Sequence, residues 1–250
     1  MGSLELRGVG HAFGAREVLR EVSLSIPAGS VLAVLGENGS GKSTLLRLIA
    51  GDIPLQRGEI RLNSENLRDL PSRARAQQVA LVPQDEPLPF GLTVDDVVAL
   101  GRLPHARGVW ENAADWAAMQ AAMSEVEILD LRARRMSELS GGQRQRVRVA
   151  RARAQQATLL LMDEPTNHLD VRSSQGLIGR IQSWAAAGQT VIVATHDLNW
   201  ASEVADSFLL LSEGRPIAWG AKDDVLTPEH LFTTYAVNYR FGLAPRWHVE

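Results

Sequence analysis

The chain has 250 residues, 45% hydrophobic and 22% charged, enough apolar material for a sizeable core in one or two domains. Its formal net charge of −3 argues against a dedicated nucleic-acid binder, which carries a basic surplus, and its lack of cysteine excludes disulfides and thiolate metal sites. No segment approaches the ~18 consecutive apolar residues of a membrane span, and the N-terminus has no cleavable apolar core, so we expect a chain soluble by itself that reaches a membrane only through a partner.

In chain order, Ser3–Val9 and Val22–Ile26 alternate as strands, the second ending at the Pro27-Ala28-Gly29 turn. Val31–Leu35 is apolar without alternation, which fits a strand buried on both faces in a parallel sheet. The glycine-rich Gly36–Gly41 separates it from a helix over Thr44–Ala50. Val79–Val82 is another short buried run, closing at Pro83-Gln84. The texture then changes. Asp85–Gly91 reads as a proline-rich connector and Thr93–Leu100 as helical. Asn112–Ile128 is predicted as an amphipathic helix with Trp116, Met119, Met123 and Val126 on one packed face. No strand is predicted between Gln84 and about Leu139, which makes this stretch a helical insert in an α/β domain. Sheet texture returns at Thr158–Met162 and Thr190–Thr195, with helices between and after. A strand pair from Leu209 and a helix near Pro228–Tyr235 follow, and Asn238–Glu250 carries no readable pattern.

Gly36-Glu37-Asn38-Gly39-Ser40-Gly41-Lys42-Ser43 fits the P-loop pattern between a buried strand and a helix. Glycines let successive N–H groups turn toward phosphate oxygens, and the following helix, with Thr44 in its first turn, adds unpaired donors and a positive dipole end. Lys42 supplies a full charge to the outer phosphates. Ser43 offers a hydroxyl to Mg²⁺, which prefers oxygen ligands. Leu159-Leu160-Leu161-Met162 ends in Asp163-Glu164-Pro165. Ligands of open parallel sheets bind outside the carboxyl ends of strands, so Asp163 is placed to hold the Mg²⁺ shell and Glu164 to act as general base on water. The plainer alternative is an acid pair favoured by a helix dipole. Gln84 and His196 follow two other apolar runs and would project at the same sheet edge. Gln84 could reach Mg²⁺ or water, and His196 a terminal phosphate.

Ser140-Gly141-Gly142-Gln143 opens a further helix running to about Gln156. Ser140 and Gln143 have capping-box spacing, and the two glycines allow close approach of an outside group. It is either an ordinary cap or a second anion site without its own lysine. Arg144, Arg146, Arg148, Arg151 and Arg153 on this helix read as a solvated or salt-bridged face. One chain thus offers a complete phosphate loop and a separate phosphate cap. A head-to-tail pair would let the cap of one copy close the loop of the other, with ATP holding the pair together and hydrolysis releasing it.

These motifs, in this order, resemble the ATPase subunit of ATP-binding cassette transporters over nearly the whole chain, Leu4 to about Tyr239. Gly36–Ser43 is similar to the family's Walker A loop, Gln84 to its Q-loop glutamine and Leu139–Gln143 to its LSGGQ signature. Leu159–Glu164 is similar to Walker B, Asn167-His168-Leu169-Asp170 to the D-loop and His196 to the switch histidine. The resemblance implies an α/β P-loop NTPase fold with a mostly parallel sheet, an N-terminal antiparallel β subdomain and an inserted α-helical subdomain. It implies one domain, with 1–84 and 158–250 as the core and β subdomain and about 85–157 as the helical part carrying the signature. It also implies that Phe13 stacks on adenine, in a place where Tyr or Trp is usual, and that Asp170 makes a dimer contact. Glu37 stands where proline or a small residue is common. Val97–His105, His196–Asn199, Val225–Pro228 and Tyr235–Asn238 resemble importer ATPases for ferric siderophores, haem and vitamin B12. The expected partners are a second copy and integral-membrane permease subunits, met around Gln84–Leu100, with a solute-binding protein acting indirectly and no nucleic acid. The expected place is the cytoplasmic face of the inner membrane. An exporter ATPase or a non-transport ATPase of the same family is the alternative.

Overall fold

A computed structural model describes residues 3–84, 86, 91–106 and 113–237, and the backbone of 239–241 and 247–249. In chain order, β1 (Leu4–Phe13) and β2 (Arg16–Ile26) form a hairpin, β3 (Val31–Leu35) leads through the glycine loop into α1 (Lys42–Ala50), and β4 (Arg57–Leu62) and β5 (Glu65–Asn66) follow. The next pair is α2 (Ser72–Gln78) and β6 (Val79–Val82). Then come α3 (Val94–Ala99), a 3-10 segment Leu100–His105, α4 (Ala113–Glu125) and α5 (Gly141–Ala154). The chain continues with β7 (Leu159–Asp163), α6 (Val171–Ala186), β8 (Thr190–Thr195), α7 (Leu198–Val204), β9 (Ser207–Ser212) and β10 (Arg215–Gly220). It ends with α8 (Lys222–Val225), α9 (Pro228–Tyr235), β11 (Tyr239–Phe241) and β12 (Trp247–Val249).

Two sheets carry the molecule. One is antiparallel, in the order β2-β1-β4-β5. The other runs β10-β9-β3-β8-β7-β6, parallel except for the edge strand β10. The pleat explains the unbroken apolar runs. Leu159 and Leu161 of β7 point into the cluster shared with α1 and the antiparallel sheet, while Leu160 and Met162 point into the cluster beneath α5 and α6. Ile192 and Ala194 of β8 divide from Val191 and Val193 in the same way. Both faces being covered, no polar alternation is left to see.

Between β6 and β7 the described residues hold helices, 3-10 segments and one isolated bridge, Thr93 to Arg135, but no strand. This stretch is tied together by Arg102, buried and paired to Asp115 at 2.8 Å while also donating to the Ala154 carbonyl at 2.6 Å. The expected face of α4 is corrected at one end. Met119, Met123 and Val126 are buried, but Trp116 is 38% exposed, beyond the packed turns and covered by the Arg132 guanidinium 4.6 Å from its ring centroid. Most of the expected connector, Asp85 and 87–90, and the expected start of the helix at Asn112 lie outside the described residues. The tail, in which no pattern was readable, contains the paired strands β11 and β12. Among the described residues no helix is long and apolar enough to cross a membrane.

Candidate functional site

The carboxyl ends of β3, β8, β7 and β6 come out at one edge of the parallel sheet, because these strands are neighbours in register. The sequence therefore delivers the phosphate loop, His196, Asp163-Glu164 and Gln84 to the same edge.

Behind the loop, Gly41 is the left-handed N-cap of α1, with φ 105°. A Cβ there would lie 2.7 Å from Leu19 Cδ2 and 2.8 Å from the Val18 carbonyl oxygen, so only glycine fits between β2 and the loop. Lys42 is buried, and its Nζ donates to the carbonyls of Gly36 at 2.7 Å and Glu37 at 3.0 Å. Burial pulls its pKa below the usual lysine value, against the opposing charges of Glu164 and Asp163. Glu37, Asn38 and Gly39 are exposed. Ser40 is buried, and its hydroxyl oxygen has no hydrogen-bond partner among the described residues. Ser43 and Thr44 are half-buried in the first turn of α1. Next to the loop, Arg16, Glu17, Arg20 and Glu213 help line a groove of 540 Å³. Phe13, at the end of β1, is 52% exposed.

At the end of β7, burial raises the pKa of Asp163, with the nearby Glu164 charge adding to it. The hydrogen bond from Ser43 and the charge of Lys42 oppose that rise. Asp163 Oδ1 is buried without a hydrogen-bond partner among the described residues. A buried, unpaired carboxylate oxygen beside a serine hydroxyl is an all-oxygen donor set, and it fits Mg²⁺. Glu164 adopts φ 46°, the left-handed region that a side-chain-bearing residue rarely occupies. Its N–H donates to the Ala194 carbonyl at 2.8 Å, which fastens the turn to β8. His196 Nδ1 lies 3.0 Å from both carboxylate oxygens of Glu164. With Glu164 ionised, Nδ1 carries the proton and donates. Gln84 is exposed, two residues beyond β6, and makes no hydrogen bond to Asp163, Glu164 or Lys42.

Ser140 caps α5. Its hydroxyl accepts from the Gln143 N–H at 3.3 Å, and the Gln143 side chain accepts from the Ser140 N–H at 3.0 Å. Gly141 and Gly142 pack on the segment between β7 and α6. Cβ atoms on them would lie 3.1 Å from His168 Cβ and 3.3 Å from the His168 carbonyl oxygen. No hydrogen bond or ion pair joins Ser140–Gln143 to Gly36–Thr44 among the described residues. Asp170 caps α6, accepting from the Ser173 N–H at 2.7 Å, a bond that holds its carboxyl below the usual range. The arginines of α5 are largely spoken for within the chain: Arg151 pairs with Glu86, and Arg153 pairs with Glu125 and stacks on Trp184.

Sequence reasoning missed three placements. His168 covers the signature glycines. Glu86 joins Arg151 at 2.6 Å and, through its carbonyl, Arg148 at 3.1 Å, pinning Glu86 to α5. His11 lies edge-on to Phe13. None has a local spacing signal; each depends on elements far apart in the chain.

A glycine loop with a buried lysine, and an acid pair at the end of a strand two places along the same parallel sheet, defines a P-loop NTPase. Residues 19–167 match the family described as ABC transporter. The chain is 38% identical to the hemin import ATP-binding protein HmuV of Pseudomonas entomophila (strain L48), over 94% of this chain and 93% of that one. It is similar to a solved metal-chelate type ABC transporter in an inward-facing conformation, at 28% identity and TM-score 0.84, covering 100% of this chain and 96% of that one. It is also similar to a bacterial ABC transporter cassette solved as a dimer, at 27% identity and TM-score 0.79, covering 87% of this chain and 98% of that one. The chain belongs to the ABC transporter family, as an ATP-hydrolysing, nucleotide-binding member.

Proposed function

We propose that this chain powers the import of an iron chelate, haem or a siderophore complex, with vitamin B12 as a related cargo. It would act as a head-to-tail dimer beneath membrane permease subunits fed by a solute-binding protein, on the cytoplasmic face of the inner membrane. The hemin-import name of the relative and the metal-chelate name of the structural neighbour support the cargo class. The dimeric cassette supports the pairing.

The observation that carries the chemistry is the convergence of Lys42, Asp163, Glu164 and His196 at one sheet edge. Lys42 would exchange its carbonyl partners for the outer phosphates, with the loop N–H groups and Thr44 around them. Ser43, Asp163 and Gln84 would hold Mg²⁺, which neutralises phosphate charge when bound. Glu164, oriented through His196 Nδ1, would take the proton of the attacking water, help typically worth ~10²–10⁴ in rate. Phe13 would stack on the base. Ser140, Gly141, Gly142 and Gln143 would close over the phosphates held by the partner copy, beside a contact made by Asp170. In this reading 1–84 and 158–250 form the catalytic core and about 85–157 the signature-bearing lobe.

A groove of 690 Å³ lies where these two parts meet, lined in part by Pro83, Glu86, Leu100, Gly101, Arg151 and Gln155. It is the natural seat for a permease segment, since it abuts both the strand end before Gln84 and the helix behind the signature.

Glu164→Gln tests the catalytic reading. It should lower turnover at least ~100-fold while keeping ATP binding, and should accumulate an ATP-bound dimer on size-exclusion chromatography with ATP and Mg²⁺. Turnover at the parent rate would remove Glu164 from the role of base.

A further inference from the structure

We propose that His11 is a positioning residue for the nucleobase, bracing the Phe13 ring on which the base stacks. The inference rests on reading Phe13 as that platform. His11 is 3% exposed, and neither ring nitrogen has a hydrogen-bond partner among the described residues. Burying unpaired nitrogens is unfavourable, and an aliphatic side chain would fill the place without that penalty. What the imidazole adds is an aromatic contact. Its ring centroid lies 4.7 Å from that of Phe13, with the planes at 76°. This edge-to-face arrangement is one that aromatic rings prefer. Phe13 remains 52% exposed, so the braced ring still offers surface to a flat ligand.

The contact continues toward the phosphates. Residues two apart on a strand share a face, and His11 is paired across the sheet with Leu19. Leu19 is the side chain that a Cβ at Gly41 would meet at 2.7 Å. The pairing slips by one residue between His11–Leu19 and Ala12–Glu17, leaving Val18 as the extra residue of a bulge. The Val18 carbonyl is the other atom against Gly41. Phe13, His11, Leu19 and the phosphate loop thus form one packed series, which sets the base platform at a fixed offset from the triphosphate.

The test is equilibrium titration of the full-length protein with two probes, Mg-AMP-PNP and Mg-tripolyphosphate, which has no base. His11→Ala should weaken AMP-PNP binding about five-fold, the size of one lost aromatic pair, and leave tripolyphosphate binding unchanged. His11→Phe, which keeps an aromatic edge, should restore the nucleotide. Phe13→Ala should weaken AMP-PNP at least as much, with no further loss when His11→Ala is added. Equal losses for both probes in His11→Ala would mean a disturbed phosphate loop and would overturn the proposal. Unchanged nucleotide affinity in His11→Ala, beside a weakened Phe13→Ala, would overturn it while leaving the platform in place. No effect of Phe13→Ala would overturn the platform, and the proposal with it.

Discussion

Asp163 is held in a state that folding alone does not favour. Burial raises its pKa above 3.8, so between that value and its folded pKa the native state binds more protons than the unfolded chain. Stability contributed by this group therefore falls as pH rises through that window and stays lower above it. In the ligand-free protein, Asp163→Asn should raise Tm at pH 7, and the gain should shrink as pH is lowered toward 3.8. The same variant should lose ATPase activity, the exchange expected where a strained site serves chemistry. A lower Tm at pH 7, or a gain independent of pH, would contradict this sign. Lys42 shares the arrangement with the opposite polarity, buried and depressed by the same low-dielectric surroundings. The left-handed backbone of Glu164 is a third local strain at this edge.

At the scale of elements, a residue's legibility in the sequence followed its burial. β3, β7 and β8 were readable because both their faces are covered. β4 was not predicted: its Arg-Gly-Glu start is polar and only Ile60 and Leu62 are buried. Nor was α2, none of whose residues is buried, so it carries no apolar stripe to find. Within the site, Gly36–Ser43 and Ser140–Gln143 were legible because each is a contiguous loop and cap whose geometry is local. The Glu164–His196 contact, the Glu86–Arg151 pair and the His11–Phe13–Leu19 packing were not, since they require knowing which strands and helices lie side by side. Gly101 belongs to the same class. A Cβ there would lie 2.1 Å from the Arg151 carbonyl oxygen, so the 3-10 segment and α5 touch backbone to backbone. Gly101→Ala must push them apart, at a cost of about 2–3 kcal/mol. Thermal unfolding should register this as a drop of about 5–10 °C in Tm for a chain of this size. An unchanged Tm would mean the two elements are not in rigid contact.

At the scale of the whole molecule, the glycine loop Gly36–Ser43 and the helix cap Ser140–Gln143 are built on different parts of the chain, and no hydrogen bond or ion pair joins them among the described residues. The cap is satisfied by its own Ser140 and Gln143 and packs on His168, while Lys42 is turned inward onto its own loop carbonyls. Each half is finished as a local structure, which is the arrangement that the proposed site, shared between two copies, requires. The most direct measurement is the ATPase rate of a purified mixed dimer with Lys42→Ala in one copy and Ser140→Arg in the other. Shared sites leave one loop and one cap intact together, so the mixed dimer should hydrolyse ATP well above either mutant homodimer. If each chain used its own cap, no intact pair would remain, and a mixed dimer as inactive as the two homodimers would contradict the account.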